Sequence, residues 1–127
     1  MKTLVIIPSR MSAKRLPGKP LLKIDGLSII SHVFKRAESA NIGEVIVASE
    51  DQEIIDDVKR NGGNAILTSK NHKTGTDRIY EAFNLMKKSD VNYIMNVQGD
   101  EPDIEIDDIR NLDMMMKTNK SNIGTLA

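Results

Sequence analysis

The sequence predicts an α/β protein with a Rossmann-like three-layer αβα arrangement: a mostly parallel sheet with helices on both faces. Three observations predict it. Five short apolar runs alternate with four segments whose apolar residues recur at helical spacing. The runs are near-continuously apolar and rich in β-branched residues, as strands buried on both faces are. Strand and helix in this alternation form βαβ units, whose crossovers are expected to be right-handed. The 127 residues contain no repeat, low-complexity stretch or linker, so residues 1–127 read as one domain.

Each element has its own signal. Leu4 to Ile7 is a short buried strand ended by Pro8. Pro8, Pro17 and Pro20 each remove a backbone donor and disfavour helix in the residue before, so an irregular loop follows. Leu21 to Ile24 and the Asp25-Gly26 turn lead to Ser28, an N-cap for a helix with Ile29, Ile30, Val33, Phe34 and Ala37 inward. Glu44 to Ala48 is the second strand. Glu50 and Asp51 read as helix capping, ahead of a helix with Ile54, Ile55 and Val58 inward and Asn61-Gly62-Gly63 as its stop. Ala65 to Thr68 is the third strand. Thr74 or Thr76 caps a helix with Ile79, Ala82, Phe83 and Met86 inward, and Tyr93 to Val97 is the fourth strand. Ile106, Ile109, Leu112 and Met116 mark the last helix, and Met114 to Met116 read as core filling at its end. Asn122 to Ala127 reads as a fifth strand running to the last residue, where a domain rarely stops, so the domain is expected to be incomplete.

Composition removes several function classes. Lysine plus arginine equals aspartate plus glutamate, 18 each, which gives no electrostatic case for nucleic acid or membrane partners. Aromatics make up 3% with no tryptophan, too few for a base-stacking platform. No cysteine means no disulfide, thiolate zinc site or thiol nucleophile. The opening apolar run is too short for a signal peptide or a membrane span, so a cytoplasmic protein is expected. His32, within a helical pattern, reads as partly exposed packing.

Three loops carry the chemistry, all strand-to-helix loops that a parallel sheet brings to one edge. The first holds Arg10, Lys14, Arg15 and Lys19 with no acid before Asp25. Charge alone leaves a solvated surface loop open as an explanation, but a polyanion is the natural ligand for cations so placed. It is not a P-loop, because Ala13 replaces the first glycine and Pro20 the magnesium-binding hydroxyl. The three-glycine dinucleotide fingerprint is absent too, which disfavours a Rossmann oxidoreductase. The second loop, Asn71 to Arg78, enters a helix, where exposed amides suit anions or base carbonyls, and where ordinary capping by Thr76 is the plainer alternative. The third, Asn96 to Pro102, sets Asp100 and Glu101 just past a buried strand, a common place for a magnesium ligand and equally for a solvated turn acid.

Taken as strings, the three loops resemble one family. IIPSRMSAKRLPGKPL resembles the amino-terminal signature of the cytidylyltransferases that activate 3-deoxy-manno-octulosonate (Kdo), the CMP-Kdo synthetases, with Arg10, Arg15, Leu16, Pro17, Gly18, Lys19 and Pro20 matching. Met11, Ala13 and Lys14 depart from it, and Ala13 lacks the hydroxyl the family carries there. His72 to Arg78 is similar to the family's cytidine-pocket segment, and NVQGDEP is its most specific string. The resemblance implies a nucleotide-diphospho-sugar transferase-like sheet, CTP and Kdo or a similar sugar acid as substrates, Mg²⁺ as cofactor, and a homodimer in the full-length form. It assigns Arg10, Arg15 and Lys19 to the triphosphate, Gly75, Thr76 and Arg78 to the nucleotide, Gln98 to the sugar acid and Asp100 to the metal. Family members are considerably longer, with further sugar contacts and a second metal-binding acid in later residues, so the resemblance implies that residues 1–127 are the truncated amino-terminal part of a longer enzyme and, alone, are weakly active or inactive. A related enzyme for another sugar acid, or an inert nucleotide-binding half-domain, are the alternatives.

Overall fold

Lys2–Ser9 forms β1, the centre of the sheet, in a computed structural model that describes residues 2–11, 18–69, 75–86, 91–99, 105–119 and 123–126. A 3-10 turn at Lys19–Leu21 follows the basic loop, and then a small hairpin of β2 (Lys23–Ile24) and β3 (Leu27–Ser28). The rest alternates: α1 (Ile29–Ser39), β4 (Gly43–Ser49), α2 (Gln52–Arg60), β5 (Ala65–Leu67), α3 (Gly75–Met86), β6 (Val91–Val97), α4 (Ile106–Asn119) and β7 (Ile123–Leu126). The five long-range strands form one parallel sheet in the order β5-β4-β1-β6-β7. The sheet is therefore wholly parallel among the described residues, and strand order reverses between β1 and β6.

Alternation along each strand divides the core. Val5, Ile7, Val45, Val47, Tyr93, Met95 and Val97 pack with α1, α2 and α4 on one face. Leu4, Ile6, Ile46, Ala48 and Ile94 pack with Ile79 and Ala82 of α3 on the other. Each such aliphatic side chain contributes about 1.5–3 kcal/mol on full burial.

The β6–α4–β7 unit departs from the expected handedness. It builds the sheet away from β4, yet α4 shares the α1 face, so it turns with the opposite hand to β1–α1–β4. Two contacts hold it there, the first buried and the second part-buried. Thr3 donates its hydroxyl proton to Asp113, and Arg110 Nε donates to the Ala40 carbonyl at the end of α1 at 3.0 Å. The methionine run also divides: Met116 is core, while Met114 and Met115 are 65% and 59% exposed.

Local signals explain the remaining boundaries. Ser28 caps α1, accepting the Ser31 amide at 3.2 Å. Asp25 and Gly26 both have positive φ, as a two-residue hairpin turn of this hand requires. Gly62, at φ +86, ends α2: its N–H donates to Lys59 and that of Gly63 to Val58, the paired bonds of a Schellman stop. Pro8 lies inside β1 and does not end it. The β1–β6 ladder stops at Ile6 opposite Asn96, so the missing Pro8 donor costs no ladder bond on that side, while pairing with β4 runs on to Ser9. No described helix is long and apolar enough to cross a membrane.

Candidate active site

The carboxyl ends of the strands place four segments along one edge: Arg10 after β1, Glu50-Asp51 after β4, Thr68 after β5 and Gln98-Gly99 after β6. This edge, at the reversal of strand order, is where ligands bind in open α/β sheets.

Arg10 and Lys19 are both half-buried and bracket the basic loop. Its ends are tied together, since the Gly18 N–H donates to the Met11 carbonyl at 2.8 Å. Gly18 takes φ +80 there, which favours glycine. Lys19 then starts the 3-10 turn closed by Leu21 and Leu22. Neither cation forms an ion pair with an acid among the described residues. Lys14 and Arg15 lie outside the described residues.

On the other side of β1, Gly99 packs directly on the end of that strand. A β-carbon at Gly99 would stand 2.9 Å from the Pro8 carbonyl oxygen and 3.3 Å from Ser9 Cβ. Gln98, half-buried, precedes it. The segment that leads into Asp100 is thus brought against the residue before Arg10. Asp100 itself, with Glu101, lies outside the described residues.

Two acids that the sequence suggested as caps do something else. Asp51 occupies the cap position of α2 but makes no side-chain cap bond. Its Oδ2 accepts the Met11 backbone N–H at 2.8 Å. Glu50 pairs with Arg78 instead, Nη2 to Oε1 at 3.3 Å. Arg78 Nε also donates to Thr68 Oγ1 at 3.1 Å. Arg78, 3% exposed, therefore ties the first turn of α3 to the ends of β4 and β5, and its guanidinium is committed to that work. Sequence reasoning missed Glu50, Asp51 and Thr68 as edge residues. The available signal was their position directly after strands on the same edge as the basic loop.

Gly75 begins α3 and Thr76 lies within its first turn, so Thr76 is not the cap. Thr74 and His72 lie outside the described residues. His32 is partly exposed packing, as expected: its Nε2 donates to the Ile24 carbonyl at 2.7 Å and secures the β2–β3 hairpin to α1.

No group of three or more histidines and acids among the described residues forms a ready metal cage.

Known proteins are similar to this chain in sequence and fold. A 3-deoxy-manno-octulosonate cytidylyltransferase of Nitrobacter winogradskyi is 46% identical over 127 residues, which cover 99% of this chain and 50% of that protein. The enzyme of the same name from Fusobacterium nucleatum is 48% identical over 120 residues, covering 94% of this chain and 48% of its own. The solved structure of a CMP:2-keto-3-deoxy-manno-octonic acid synthetase complexed with CTP matches with a TM-score of 0.84 at 39% identity, covering 95% of this chain and 49% of that one. The chain spans about half the length of the curated relatives it matches. Residues 4–127 match the family model described as cytidylyltransferase, and the chain belongs to that family.

Proposed function

We propose that the chain is the nucleotide-binding part of an enzyme that activates Kdo, or a closely related sugar acid, with CTP, giving CMP-Kdo and pyrophosphate for lipopolysaccharide synthesis. The observation that carries this reading is the clasped basic loop. Two half-buried cations, Arg10 and Lys19, flank a tied loop mouth, on the edge where Gly99 brings the segment leading to Asp100 against β1. The family and the relatives named for this reaction supply the substrate class.

In the proposed reaction the anomeric hydroxyl of the sugar acid forms a bond to the α-phosphorus of CTP and releases its proton to water. The bond from that phosphorus to the bridging oxygen breaks, and pyrophosphate leaves with the electron pair. Charge grows on the bridging and leaving oxygens. Arg10, Arg15 and Lys19 hold the triphosphate and stabilise that charge. Gly75 and Thr76, at the start of α3, contact the nucleotide, and Gln98 contacts the sugar acid. Arg78 serves the nucleotide side indirectly, by fixing the first turn of α3 to the strand ends. Asp100 would hold Mg²⁺, and the ion would supply charge neutralisation at the phosphates and orientation of the two reactants. The reading includes a homodimer in the full-length form, cytoplasmic work, and no nucleic acid or membrane partner.

Calorimetry with CTP and Mg²⁺ on residues 1–127, beside an assay for pyrophosphate release with Kdo, tests it. Binding of CTP in preference to ATP, with little turnover, is expected, because the relatives are about twice as long. Equal affinity for all nucleoside triphosphates, or none for CTP, contradicts the reading.

A further inference from the structure

We infer that Asp51 is a positioning residue for phosphate binding, its carboxylate anchoring the mouth of the basic loop through the Met11 amide. The inference rests on the proposed function and adds to it a residue outside the triphosphate contacts.

Asp51 stands where a helix cap belongs, and an aspartate there ordinarily accepts an amide of the helix's first turn. Here no such bond forms. The carboxylate reaches instead to a backbone N–H forty positions away, a charge-assisted bond of 2.8 Å. Its own N–H donates to Ser49 Oγ at 3.1 Å, and Ser49 is fully buried at the end of β4. Met11 passes the constraint on, because its carbonyl accepts the Gly18 N–H at 2.8 Å. A chain of bonds thus runs from β4 through Asp51 and Met11 to Gly18, with Arg10 immediately before the clasp and Lys19 immediately after it.

The placement settles what the acid's charge does. It is spent on a backbone amide, and Asp51 forms no ion pair with Arg10 or Lys19 among the described residues. The two cations keep their charge for an anion, while the acid fixes their spacing. Loop ends fixed in advance lower the conformational cost of gripping a polyphosphate.

Asp51→Ser separates this role from helix capping. Serine is as good a cap as aspartate but is too short to reach Met11. Calorimetry on residues 1–127 with Mg²⁺ and three probes, CTP, inorganic triphosphate and CMP, reads the effect. Asp51→Ser is expected to weaken CTP and inorganic triphosphate about tenfold, the order of one charge-assisted hydrogen bond, and to leave CMP unchanged. Asp51→Asn, whose Oδ1 still accepts the amide, is expected to restore triphosphate affinity. Hydrogen exchange in the parent chain is a second measurement that needs no variant to fold: slow exchange at both the Met11 and Gly18 amides is expected. Parent-like triphosphate binding by Asp51→Ser, a loss shared equally by CMP, or fast exchange at those amides overturns the inference while leaving CTP binding intact. Failure of the parent chain to bind CTP overturns the proposed function and this inference together.

Discussion

Lys19→Ala is expected to reduce turnover about 10²–10³-fold when made at the equivalent lysine of a full-length relative, about 2.7–4 kcal/mol in the barrier if the ammonium acts as an oxyanion donor does. The argument is positional. Lys19 is half-buried, directly follows the Gly18–Met11 clasp, and begins a turn whose backbone bonds fix its Cα. With its backbone fixed, Lys19 has only its side-chain rotamers left to order on meeting a phosphate, so less of its Coulombic contribution is offset. A flexible surface lysine would contribute far less. Steady-state kinetics with CTP varied checks it. A fall in kcat fits stabilisation of developing charge, whereas a higher KM at unchanged kcat fits uniform binding only. Parent-like kinetics removes Lys19 from the site.

Glu50→Ala is expected to lower folding stability by about 3–5 kcal/mol, because it leaves the Arg78 guanidinium buried without its counter-charge. Side-chain exposure in this pair is 4% for Arg78 and 14% for Glu50, so solvent offers little replacement. Thr68 remains as one partner, which is why the loss is not larger. Glu50→Gln keeps an acceptor for Nη2 and is expected to cost less than half as much. Urea denaturation of residues 1–127 measures both. A Glu50→Ala loss below about 1 kcal/mol, the worth of an exposed pair, contradicts the account of Arg78 as a buried tie between α3 and the strand ends.

The division between what was legible and what was not follows interaction range. The strands β1, β4 and β6 were legible because each is buried on both faces and so reads as an unbroken apolar run. The helices were legible from residues such as Ile29, Val33 and Ala37, whose spacing is set by one helical turn. Ser28 was legible because a cap bonds its own helix. The hairpin of β2 and β3 was missed as a hairpin, since two-residue strands carry no periodicity, although Asp25-Gly26 marked its turn. The placement of α4 was missed because it depends on Thr3 meeting Asp113 across 110 positions. Asp51 and Glu50 were misjudged for the same reason. A local rule assigns an acid before a helix to its cap, whereas their partners, Met11 and Arg78, are brought near only by the order of the strands. The basic loop was legible as a site from its charges and its resemblance to a known signature, but the clasp that closes it is a backbone bond, which no side-chain pattern records.

The central claim is that the segments after β1 and β6 hold one nucleotide and its metal between them. The most direct test replaces magnesium with paramagnetic Mn²⁺ and follows backbone amide resonances of residues 1–127 as CTP is added. The account predicts that Arg10, Lys19, Gln98 and Asp100 broaden together, and only when both Mn²⁺ and CTP are present. If Asp100 stays sharp while Arg10 and Lys19 broaden, the metal and the triphosphate do not share this edge, and the account is wrong.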